Sequence, residues 1–144
     1  MSERSNQIDD FLADVGWLGA ARKPLAGDAS FRRYERVSLD GRTAVLMDAP
    51  PPSEDVGPFV QLTHHLRGMG YSAPEILAES PLSGFLLLED LGDATYTNAL
   101  AGGADDVELY SRAVDLLINL HGRQDTQYLP SSVVRYSDQM LMDE

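Results

Sequence analysis

The chain has 144 residues, 43% of them hydrophobic and 24% charged, enough apolar material for one ordinary core or one lobe of a larger molecule. Its 23 acidic against 11 basic side chains give a formal charge of -12, and no dense Lys/Arg cluster is present, which argues against nucleic acid or an anionic membrane as partner. The absence of cysteine excludes disulfides, thiolate metal sites and thiol nucleophiles. The opening from Met1 to Asp10 is polar, and no apolar run approaches the ~20 residues that cross a bilayer, so a cytoplasmic location is expected.

Ile8, Phe11, Leu12 and Val15 recur at helical spacing before Gly16 and predict a leading amphipathic helix within residues 1-20. Phe31 to Leu39 suits a strand, Asp40-Gly41 is a two-residue hairpin signal, and Thr43 to Met47 returns antiparallel. Pro50, Pro51 and Pro52 end that return because proline cannot donate a ladder hydrogen bond. A helix from Pro58 to Met69 follows, with Phe59, Leu62, Leu66 and Met69 as its apolar stripe and Gly70 as its left-handed cap. Glu75 to Glu79 and Phe85 to Glu89 read as strands flanking a turn at Pro81, Ser83 and Gly84, the second being apolar enough to be central. Beyond Gly92 the pattern becomes helical: Leu109, Ala113, Leu116, Leu117 and Leu120 mark a long helix capped by Gly122. Ser137 is placed to cap one more helix beginning near Asp138. The fold class is therefore α+β, an antiparallel sheet with an inserted helix followed by helices.

Two segments carry a family resemblance. One runs Leu25-Ala26-Gly27-Asp28-Ala29-Ser30-Phe31-Arg32-Arg33-Tyr34 into the hairpin and ends Val45-Leu46-Met47-Asp48-Ala49-Pro50-Pro51. The other is Gly84-Phe85-Leu86-Leu87-Leu88-Glu89-Asp90-Leu91-Gly92-Asp93. In order and spacing they resemble the protein-kinase-like N-terminal lobe of the aminoglycoside phosphotransferase superfamily, and within it the bacterial N-acetylmuramate/N-acetylglucosamine anomeric kinases of cell-wall recycling. The resemblance implies a nucleotide-binding lobe over 21-92 with its hinge at 89-92, and the beginning of a helical C-terminal lobe over 93-144.

It also implies the chemistry. A loop of small residues, Gly27, Ala29 and Ser30, would bring backbone N–H groups to a triphosphate, with Arg32 and Arg33 as planar donors on opposite faces of the strand. Backbone groups of Glu89, Asp90 and Leu91 would read the adenine edge, Gly92 letting the chain bend. ATP with Mg2+ is the implied cofactor pair and an amino sugar the implied acceptor. So acidic a surface repels ATP at long range, which leaves recognition to these local donors.

Two departures from the family stand out. Met47 occupies the place of the phosphate-binding Lys of protein kinases, and the inserted helix offers no Asp or Glu to pair with one, which leaves Arg32 or Arg33 as the substitute cation. The catalytic Asp, the following Asn and the metal-binding Asp are not identifiable. Leu120-His121-Gly122-Arg123 carries Arg where an H-G-D loop needs Asp, and reads as a helix end. His64-His65 does not read as a metal site, since adjacent helix positions diverge by about 100° and the helix carries no carboxylate, and Asp9-Asp10 and Asp105-Asp106 read as helix-start and surface acids. No residue is therefore assigned to catalysis or to metal. The chain is expected to hold ATP without turning it over, with part of its long helix exposed and inclined to self-association. A pseudokinase or nucleotide-sensing module, and a non-functional gene fragment, are the alternatives.

Overall fold

The computed structural model describes residues 3–26 and 30–123. The predicted helix near Asp138 and the loop residues Gly27 and Ala29 lie outside them. The chain divides into two compact units, the boundary falling between Asp90 and Leu91.

The first unit is a five-stranded antiparallel sheet with a helix on each face. Helix α1 (Glu3–Asp14) precedes strands β1 (Ala21–Pro24), β2 (Arg33–Leu39) and β3 (Arg42–Asp48); α2 (Gly57–Gly68) is inserted before β4 (Ile76–Ser80) and β5 (Phe85–Glu89). The strand order is β1-β2-β3-β5-β4. Asp40 and Gly41 both take positive φ, 49° and 77°, the conformation that a two-residue hairpin between β2 and β3 requires.

The sheet buries both faces, and its sequence alternates accordingly. Val37, Ala44, Leu46, Phe85 and Leu87 pack against Ile8, Phe11 and Leu12 of α1 and against Trp17. Met47, Ala49, Leu86 and Leu88 face the other way, onto Val56 with Phe59 and Val60 of α2. Phe85 to Leu88 is buried at every position because β5 lies between β3 and β4 with a helix over either face. Three details of this unit differ from the sequence expectation. The strand expected from Phe31 begins at Arg33, and β1 has no apolar alternation from which it could have been read. On α2 the buried polar position is Thr63, while Leu62 of the expected stripe is 37% exposed, because the helix meets the sheet along Val56, Phe59 and Val60.

The second unit holds α3 (Tyr96–Ala101) and α4 (Asp106–Gly122). Thr95 Oγ1 accepts the Asn98 N–H at 3.2 Å and Asp105 Oδ1 accepts the Glu108 N–H at 2.8 Å, so each helix starts on a side-chain cap. Gly122, expected as the cap of α4, is its last helical residue; the cap position falls on Arg123 in extended conformation. Val107, Tyr110, Val114, Leu116, Leu117 and Ile118 of α4 are exposed. Among the described residues no helix is long and apolar enough to cross a membrane.

Candidate functional site

The loop between β1 and β2 is anchored at both ends. Leu25 N–H donates to the Tyr34 carbonyl at 2.9 Å, extending the β1–β2 ladder by a residue and leaving a short connection before Arg32. At the far end Ser30 Oγ accepts the Arg32 N–H at 3.1 Å, a local turn contact. Glu54, from the segment ahead of α2, then binds the loop with both oxygens: Oε1 accepts the Phe31 N–H at 3.1 Å and Oε2 accepts Arg32 Nε at 3.0 Å. Burial alone would lower the Arg32 pKa, but the hydrogen bonds and charges of Glu54 and, to a lesser extent, Tyr34 together outweigh it and the net shift is upward. One carboxylate thus occupies two donors of the kind a phosphate would use.

Arg33 stands apart. It opens β2 opposite Asp48 in the ladder, and strand alternation sets it on the face of Glu35 and Val37, toward α1. Tyr34 shares the α2 face with Met47, its ladder partner. Met47 is fully buried among Ala49, Val56, Leu86 and Leu88, an apolar setting in which a Lys head group would lose its hydration.

At the end of β5 the predicted residues also separate in role. Glu89 N–H donates to the Glu75 carbonyl at 2.8 Å, and the Glu89 carboxylate accepts the Glu75 N–H at 3.0 Å, so this residue serves the junction with β4. The Asp90 side chain is 8% exposed and meets Arg36 of β2: Nη2 donates to Oδ1 at 3.0 Å, and Nε lies 2.8 Å from Oδ2 as a close ionic contact off the hydrogen-bond direction. Leu91 is 59% exposed and opens the second unit; Gly92 has φ 77°, which favours glycine. Arg36 and Glu54 escaped the sequence reading. Arg36 was legible in principle, since it shares the even register of Tyr34; Glu54 sits among prolines in a segment without periodicity.

Other residues singled out in the sequence take the following places. Asp9 lies in the middle of α1 and accepts Arg22 Nη1 at 2.6 Å, while Asp105 caps α4. His121 occupies the last turn of α4. His65 Nε2 is buried without a hydrogen-bond partner. Among the described residues no group of three or more His, Cys, Asp or Glu is arranged to hold a metal ion.

Comparison with known proteins agrees with this architecture. The profile of the "Phosphotransferase enzyme family" matches residues 21–133. A protein named N-acetylmuramate/N-acetylglucosamine kinase from Pseudomonas aeruginosa is 44% identical over 123 residues, which cover 83% of this chain and 36% of that protein. Proteins of the same name from Pseudomonas putida and Caulobacter vibrioides are 37% and 33% identical, covering 96% and 83% of this chain and 40% of each relative. The chain therefore spans well under half the length of the curated relatives it matches.

Proposed function

The chain belongs to the phosphotransferase enzyme family, and from that premise we propose that it is the nucleotide-holding portion of an ATP-dependent amino-sugar kinase acting at an anomeric hydroxyl. The observation that carries this reading is that the similarity to N-acetylmuramate/N-acetylglucosamine kinases extends over a kinase-like lobe, a five-stranded sheet with a helix inserted before β4. In this reading the β1–β2 loop, with Arg32 as its cation, receives the triphosphate, and backbone groups from Glu89 to Leu91 face adenine. Since the Glu89 N–H is engaged by Glu75, the base falls mainly to Asp90 and Leu91.

The donor set suits a nucleotide: the Arg32 guanidinium and the Phe31 N–H, held side by side by one carboxylate, can bind an anion. Mg2+ would neutralise phosphate charge, its ligands supplied outside the described residues. Phosphoryl transfer rests on positioning the acceptor and neutralising charge, and no residue identified here does the former. The chain by itself accordingly holds ATP without turnover.

The test is ATP titration of the purified chain, followed by acceptor-dependent ADP release with and without a fused C-terminal half from one of the relatives. Binding is expected in both forms and turnover in the fusion alone. Leu91→Pro, which removes an N–H and fixes φ, should harm ATP binding more than Glu89→Gln. Equal tolerance of both changes overturns the hinge reading. Turnover by the short chain that His121→Ala abolishes overturns the assignment of the α4 end as structural.

A further inference from the structure

We propose that the Arg36–Asp90 ion pair is a positioning device for nucleobase recognition: Arg36 fixes the residue at which the chain leaves β5, and does not itself bind phosphate. The inference rests on the reading of the β5 end as the adenine-facing edge.

The ladder between β3 and β5 ends at the pair Ala44 and Glu89. Asp90 is the first residue beyond it, so strand pairing no longer sets its conformation. The side chain takes over that task. Arg36 pairs with Val45, and Val45 with Leu88; Asp90 lies two residues past Leu88, so the guanidinium reaches it across β3 along the α2-facing side of the sheet. Contact with both carboxylate oxygens, at 2.8 and 3.0 Å, removes the rotational freedom that a single contact would leave. The pair is also secluded, with side-chain exposures of 20% for Arg36 and 8% for Asp90.

A secluded ion pair is poor value as a source of stability, since desolvation offsets much of the attraction. The sheet already has an apolar core on each face. What the pair supplies is a fixed direction for the backbone after β5, where the proposed base-reading groups lie. It also commits Arg36: serving a phosphate would take from the secluded Asp90 carboxylate the guanidinium that contacts both its oxygens.

The experiment compares ATP with inorganic tripolyphosphate, each displacing a fluorescent ATP analogue from the full chain, with thermal unfolding followed in parallel. For Arg36→Met and Asp90→Asn we expect ATP affinity to fall by about tenfold or more and tripolyphosphate affinity to hold within about twofold, because only the base contact depends on the pair. The charge-exchanged double variant Arg36→Asp/Asp90→Arg should recover part of the loss. Should Arg36→Met fail to fold, Arg36→Lys keeps the charge, loses the fork, and should show the same split at smaller amplitude. Equal loss for both ligands, or unchanged ATP affinity in a folded variant, overturns the inference. If the unaltered chain binds ATP no more tightly than tripolyphosphate, the adenine-edge reading fails and the inference with it.

Discussion

Asp48 at the end of β3 accepts two hydrogen bonds from Arg4 of α1 on a single oxygen, from Nε at 2.9 Å and Nη2 at 2.6 Å. The same guanidinium donates to the Ser83 carbonyl at 2.7 Å and lies 4.0 Å from the centre of the Phe85 ring. Arg4 therefore ties the first turn of α1 to β3 and to the turn before β5. Asp48 is 5% exposed, so removing Arg4 would leave a nearly buried carboxylate without this partner. Arg4→Ala should cost about 2–3 kcal/mol in urea unfolding, and Asp48→Asn less, since the amide oxygen still accepts from Arg4 and only the charge is lost. A loss below about 0.5 kcal/mol for Arg4→Ala, the range of exposed pairs, would show that solvent replaces the contact.

Among the described glycines of the first unit, Gly84 is the most constrained. It has φ 71°, its carbonyl accepts the Ala49 N–H at 2.8 Å, and a Cβ would overlap the Ala49 carbonyl oxygen and lie 2.9 Å from Pro51 Cδ. Backbone strain and overlap with backbone act together at this site. Gly84→Ala should lower stability by about 3 kcal/mol or more, whereas Gly41→Ala, with φ 77° but open space around it, should lose only about 1 kcal/mol. Equal losses at the two positions would mean that the turn before β5 relaxes to admit a methyl group.

Glu54 and the proposed phosphate contacts make opposite predictions testable together. If Arg32 serves the triphosphate, Glu54 competes with the ligand for Arg32 Nε and the Phe31 N–H. Arg32→Ala should then weaken ATP binding by about 1.5–3 kcal/mol, while Glu54→Gln should leave it unchanged or tighten it. Met47→Leu should be nearly silent, since it exchanges apolar groups of similar volume in an apolar site. Calorimetric titration of the three variants decides the matter: weakening by both Arg32→Ala and Glu54→Gln would assign the pair to loop structure alone.

Local pattern carried the elements whose burial is written in their own residues. Phe85-Leu86-Leu87-Leu88 announces a strand covered on both faces, Asp40-Gly41 announces its turn, and Ile8, Phe11 and Leu12 give α1 a face to bury. Those signals work because side-chain direction follows backbone period, 2 in strands and 3.6 in helices. The edge strand β1 had no such signal: Ala-Arg-Lys-Pro buries little, and it is held by ladder bonds to β2 and by Arg22, which contacts Glu35 and Asp9 at 2.6 Å each. The Arg22 pKa is raised by the Glu35 hydrogen bond against the cost of burial, with Asp9 adding to the rise, so the cation that holds the edge stays charged. The partners of the arginines were equally out of reach. Arg4 finds Asp48 across 44 residues, Arg32 finds Glu54 across 22, and Arg36 finds Asp90 across 54. Residue type and spacing determined that this chain builds an antiparallel sheet with an inserted helix, and two of its segments carried the resemblance to the phosphotransferases that the family match bears out. Which cation meets which carboxylate was decided only when strand register and helix placement brought distant segments together, because an ion pair depends on distance in space and leaves no period in sequence.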